Sequence, residues 1–82
     1  MELYQLRQFA AVAKYENMTR AAESLNVAQP AVSKTIRNLE SELGAELFER
    51  TGKGLRRTEQ GDILLRVRTD DTGSRARRAR RN

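Results

Sequence analysis

Apolar residues at Leu3, Leu6, Phe9, Ala10 and Ala13 recur at helical spacing, which predicts an amphipathic first helix over about residues 3–15. Asn17-Met18-Thr19 breaks the pattern. Thr19 reads as the N-cap of a short second helix, carried by Ala21, Ala22 and Leu25 and ending near Leu25 or Asn26. Its two alanines predict close helix packing. Asn26-Val27-Ala28 reads as a tight turn, asparagine being suited to the left-handed conformation that ends a helix. Val32, Ile36, Leu39 and Leu43 then step by four, three and four, a core-facing stripe on a third helix that Gly44 terminates.

Beyond Gly44 the texture changes. The segments "ELFER" and "LRRT" flank "TGKG", two short runs around a glycine-containing connection, which predicts a small hairpin over residues 47–57. Thr58 is placed to cap a fourth helix with Glu59 in its first turn and Ile63, Leu64 and Val67 as apolar positions. From Thr69 the text becomes "TDDTGSRARRARRN", which has no large apolar residue, and disorder is expected over residues 69–82. The expected architecture is mainly α: one small domain with a three-helix core, a hairpin and the start of a further helix.

Composition narrows the function. The 82 residues include no cysteine and no histidine, which argues against disulfides, the usual zinc sites and every histidine-based catalytic arrangement. No carboxylate pair sits in an apolar setting and no nucleophile has a base beside it, so neither an enzyme nor a bound cofactor or metal is expected. A reducing cytoplasm is the expected location, since nothing in the text targets secretion or a membrane. On that reading the sequon Asn17-Met18-Thr19 is a chance match.

The net charge of +5 does not itself argue for nucleic acid. Residues 1–65 hold nine Lys and Arg against nine Asp and Glu, and the whole excess lies in the last seventeen residues. What matters is where the charges of the body fall.

That question turns on Gln29-Pro30, which contains the single proline of the chain. Proline is tolerated in the first turn of a helix, where its missing N–H would have no partner, so Pro30 marks the start of the third helix. At 100° per residue, Ser33, Arg37, Pro30 and Lys34 share the face away from the apolar stripe. No acid occurs between Gln29 and Leu39; Glu40 and Glu42 come only towards the end. A helix that enters a DNA major groove by its N-terminal half needs that asymmetry, and Gln29 can pair bidentately with an adenine edge. Two helices, a three-residue turn and a second helix led by glutamine make a helix-turn-helix layout at residues 18–37. The hairpin becomes a wing, with Lys53 at its tip and Arg50, Arg56 and Arg57 on its arms within reach of phosphates or a minor groove. Thr19 and Arg20 are placed to touch the backbone, although Thr19 as a plain cap is an equal reading. Gly52-Lys53-Gly54 lacks the spacing of a phosphate-binding P-loop and reads as a wing tip.

The stretch "LRQFAAVAKYENMTRAAESLNVAQPAVSKTIRNLESELGAELFERTGKGLRRTEQG" resembles the N-terminal DNA-binding domain of LysR-type bacterial transcriptional regulators, over roughly residues 1–66. The resemblance implies a winged helix-turn-helix fold in residues 1–58 and a linker helix that begins at 59 and breaks off at 68. It implies major-groove approach by Gln29, Pro30, Ser33, Lys34 and Arg37, and wing contacts by Arg50 and Lys53. It further implies double-stranded DNA with a palindromic operator as partner and subunits paired through the linker helix; here the apolar run of that helix covers only Ile63, Leu64, Leu65 and Val67, so a weak homodimer assisted by that DNA is expected. Ala28 departs from the pattern, which usually has a capping serine there, and Arg57 stands at a usually aliphatic position. The match stops after about Arg66, short of the effector-binding region, so no small-molecule inducer is expected for this chain. The arginine run reads as a grip on polyanions, a segment foreign to the domain or a solvated end, and the abrupt shift in composition favours the last two. An alternative function remains, a non-catalytic module that pairs with an intact regulator and blocks it. That module would depend on Leu3, Leu6 or the Ile63/Leu64 surface and would survive loss of Gln29 and Lys34.

Overall fold

The computed structural model describes residues 1–69; of the stretch 69–82 expected to be disordered, Thr69 ends a helix and the rest lies outside the described residues. Helix α1 spans Leu3–Tyr15, α2 Met18–Leu25 and α3 Gln29–Leu43. Strands β1, Phe48–Thr51, and β2, Gly54–Arg57, precede α4, Glu59–Thr69. The helix start and stop signals are local. The Glu2 N–H donates to Gln5 Oε1 at 2.9 Å ahead of α1, and α1 and α2 both end on left-handed residues, Glu16 (φ 52°) and Asn26 (φ 62°). Asn26 therefore does what its residue type predicts.

The cap of α2 differs from expectation. Asn17, not Thr19, takes the N-cap: its Oδ1 accepts the Arg20 N–H at 2.9 Å, while Thr19 sits exposed in the first turn. Asparagine caps as well as threonine, and starting two residues earlier lets Met18 pack against the core.

The three helices close on Phe9, Val12, Ala13, Ala21, Ala22, Val32, Ile36 and Leu39, with Leu47, Phe48, Leu55 and Leu64 brought in from the hairpin and α4. Phe9 and Phe48 meet with ring centroids 5.5 Å apart, and Phe9 is fully buried. Truncating such a residue to alanine costs about 3–5 kcal/mol. Two residues of the α1 and α3 stripes are exposed. Leu43 is 42% exposed, because the packed layer ends at Leu39 and Leu47 and α3 runs one turn beyond it; Leu3, at the other end of the domain's first helix, is likewise exposed. Val12 and Thr35, which the stepping pattern passes over, are buried.

The hairpin is antiparallel, with Phe48 opposite Arg57, Glu49 opposite Arg56, Arg50 opposite Leu55 and Thr51 opposite Gly54. Its first strand starts later than the run "ELFER" suggests, because Glu46 and Leu47 hold α4 instead. The Leu47 carbonyl accepts the Thr58 N–H at 3.0 Å, and the Glu46 carbonyl accepts the Thr58 hydroxyl at 2.6 Å. Thr58 caps α4 as expected, its Oγ1 accepting the Gly61 N–H at 3.1 Å. Gly61 presses against the same carbonyl: a Cβ there would stand 2.4 Å from the Leu47 oxygen. At the other end of the hairpin Gly54 takes φ 141° and lies so close to α1 that a Cβ would be 3.2 Å from the Glu16 carbonyl, which also accepts the Leu55 N–H at 3.4 Å. The wing is thus seated on the last turn of α1.

Candidate nucleic-acid interface

Ala21 and Ala22, both buried, let α2 and α3 approach closely across the Asn26-Val27-Ala28 turn. This leaves the N-terminal half of α3 outward. Gln29, Pro30, Lys34 and Arg37 are exposed and Ser33 is half-buried. Gln29 Nε2 donates to Ser33 Oγ at 3.2 Å, so one candidate base reader orients another. Ala28 occupies the N-cap of α3 without a side-chain hydrogen bond, and the Ala28 carbonyl takes the Ala31 N–H at 3.0 Å instead.

The acids at the far end of α3 are engaged elsewhere. Glu40 Oε2 accepts the Leu47 N–H at 2.9 Å, and Glu42 pairs with the Met1 ammonium at 3.3 Å. The remaining ion pair among the described residues joins Arg57 to Asp62. Arg20, Lys34, Arg37, Arg50, Lys53 and Arg56 take part in neither pair, and their charges stand towards solvent.

Two grooves organise these cations. The first, of about 150 Å³, lies between α3 and the wing, where Ser33, Arg37 and Glu40 face Arg50 over a floor of Ile36, Phe48 and Leu55. The second, of about 410 Å³, lies between the α1–α2 junction and the wing and gathers Arg20, Lys53 and Arg56, with Glu16, around Tyr15 and Asn17. Leu55 borders both. Thr19, Gln29, Pro30 and Lys34 line neither groove and stand on open helix surface. Tyr15 is a neighbour that sequence reasoning passed over; the Lys14 ammonium lies 5.2 Å from its ring centroid. As an apolar-period outlier at a helix end it carries no sequence signal.

Arg57 is corrected by the structure. Expected as a wing arm, its guanidinium turns into the body, with Nη1 donating to the Ala13 carbonyl at 3.0 Å and Nε to Asp62 Oδ1 at 2.6 Å. No group of three carboxylates that could hold a metal ion occurs among the described residues, and none of their helices is long and apolar enough to cross a membrane.

Residues 3–62 match the model of the bacterial regulatory helix-turn-helix proteins of the lysR family. The chain belongs to that family. The match runs from the start of α1 into the first turn of α4 and takes in both grooves. The chain is 51% identical over 61 residues to the HTH-type transcriptional regulator PcaQ of Agrobacterium fabrum and 54% identical over 61 residues to the RuBisCO operon transcriptional regulator of Allochromatium vinosum. Each alignment covers 74% of this chain and 20% of the relative, so the chain spans about a fifth of the length of these curated relatives. Among solved structures, the CbnR DNA-binding domain in complex with DNA superposes with a TM-score of 0.79 at 37% identity, covering 98% of this chain and 95% of that one. The LysR-type chain thus has the winged helix-turn-helix fold of the DNA-binding domains in this family, and these relatives are transcriptional regulators.

Proposed function

We propose that this LysR-type domain binds double-stranded DNA sequence-specifically by laying the N-terminal half of α3 into a major groove. Gln29 and Ser33 meet base edges, with Pro30 packed beside them. Lys34, Arg37 and Arg50 neutralise the flanking phosphates, and Arg20, Lys53 and Arg56, with Thr19, follow the backbone towards the neighbouring minor groove. The observation that supports this reading best is the asymmetry of charge. Lys34 and Arg37 on the exposed half of α3 and Arg20, Arg50, Lys53 and Arg56 on α2 and the wing stand outside the ion pairs of the described residues, while Glu40 and Glu42 are tied to Leu47 and Met1.

The same reading gives α4 a part. Leu43, Ile63 and Val67, between 42% and 50% exposed, form an apolar row that a second copy can cover. Burying a few such side chains at about 1.5–3 kcal/mol each barely offsets an association cost of at least about 4 kcal/mol. Two copies therefore meet on a two-fold operator that holds them side by side, in the cytoplasm where the chromosome is accessible. Selection from random duplexes tests the whole reading: a defined motif with two-fold symmetry is expected, and recovery of unrelated sequences overturns it.

A further inference from the structure

Helix α4 is held to the domain on two sides. On one, Thr58 and Gly61 rest on the Glu46 and Leu47 carbonyls, and Leu64 is buried in the core. This line of contact, with Leu65 also packed against the core, fixes where the helix starts, and its angle to α1 depends on what holds the opposite side. On the other, the guanidinium of Arg57 reaches two elements at once, the Ala13 carbonyl on α1 and the Asp62 carboxylate on the first turn of α4. A planar guanidinium offers several donors in fixed directions, so satisfying both acceptors sets the angle between the two helices.

Resting on the paired reading above, we propose that Arg57 is a positioning residue that sets the direction in which α4 leaves the domain, and through it the half-site spacing that two copies accept. The Arg57 and Asp62 side chains are 35% and 48% exposed, so this ion pair contributes little to stability, and its role is geometric. Crossing angles of packed helix pairs scatter by about 15° around their preferred values, which sets the scale of a change in angle that packing can accommodate. Over the 11 residues of α4, about 16 Å long at 1.5 Å per residue, that swing moves the far end by about 4 Å. Base pairs are stacked about 3.4 Å apart, so a released α4 misplaces the second copy by about one base pair.

The test uses the full chain and duplexes carrying two copies of the half-site that wild-type protein selects from random DNA, with spacings stepped by one base pair, and a duplex carrying one half-site. Arg57→Met, Arg57→Lys and Asp62→Asn are compared with wild type, and thermal melts report folding. Wild type is expected to prefer one spacing by about tenfold. Arg57→Met is expected to bind the single half-site within about twofold of wild type while its preferred spacing shifts by a base pair or flattens. Arg57→Lys, with a single ammonium for two distant acceptors, and Asp62→Asn fall between the two. Variants that fold, bind the single half-site normally and keep the wild-type spacing profile overturn the proposal; should Arg57→Met fail to fold, the lysine and asparagine variants decide it alone. A wild type that ignores spacing overturns the paired reading itself and the proposal with it.

Discussion

Gln29 and Ser33 are joined across one turn of α3 by a 3.2 Å hydrogen bond from the glutamine amide to the serine hydroxyl. One amide N–H is thereby committed within the protein, and the outward part of the side chain keeps an acceptor oxygen and a second N–H. Those two groups are the pair that an adenine edge requires.

Gln29→Ala and Lys34→Ala are therefore expected to fail differently. Loss of the amide relaxes base preference at one position by about 1–3 kcal/mol, whereas loss of the ammonium weakens all sequences alike and flattens the salt dependence by about one unit of slope. Titrations of selected and scrambled duplexes at several salt concentrations separate the two. Equal losses on both duplexes for both variants would remove Gln29 from the reading face.

Ala28→Ser should stabilise the domain. The α3 N-cap has no side-chain acceptor, and a serine hydroxyl there can take the Ala31 N–H. Gains of about 0.5–2 kcal/mol are typical for restoring such a cap. Urea titration measures the change, and an unaltered midpoint would mean that the existing Ala28 carbonyl contact already satisfies that N–H.

Gly61→Ala should do the reverse although alanine is the better helix former by about 1 kcal/mol. The added carbon meets the Leu47 carbonyl at 2.4 Å, a backbone atom that the Thr58 N–H also holds in place. Overpacking costs about 1–3 kcal/mol, which after that gain leaves a net loss of up to about 2 kcal/mol. A melting temperature equal to or above wild type would show that α4 can shift away from Leu47 at no cost.

Sedimentation of the chain at micromolar concentration should show mostly monomer, with two copies appearing when a palindromic duplex is added. A tight dimer without DNA would mean that exposed Leu3 and Tyr4 of α1 join the apolar row of α4 in the interface.

Much of this arrangement is legible in the residues. The helix stripes, the asparagine that ends α2, the glycine after α3 and the threonine that starts α4 are local signals, and each acts where local chemistry puts it. The exposed face of α3 follows from counting around the helix, since Gln29, Lys34 and Arg37 need no tertiary partner to lie outward. What the text could not give depends on distant partners. Arg57 looks like one more wing cation until Ala13, forty-four residues away, supplies a carbonyl. Asn17 and Thr19 are both competent caps, and the preference for Asn17 rests on Met18 reaching the core. Leu43 keeps the stripe's period but outruns the layer that the stripe packs against.

The seat of the wing on Glu16 has one more consequence. Because the Leu55 N–H donates to that carbonyl and Phe48 and Leu55 are buried in the core, an outward swing of the hairpin to meet a duplex would have to break these contacts. In the proposed binding mode the span from the start of α3 to Lys53 then acts as a rigid gauge of groove width. The adjustment falls on the nucleic acid, at a cost that depends on how readily each base step bends or narrows. Base pairs that no side chain touches would thus be selected for their compliance, and flexible steps such as TA placed between α3 and the wing should strengthen binding without gaining a single contact.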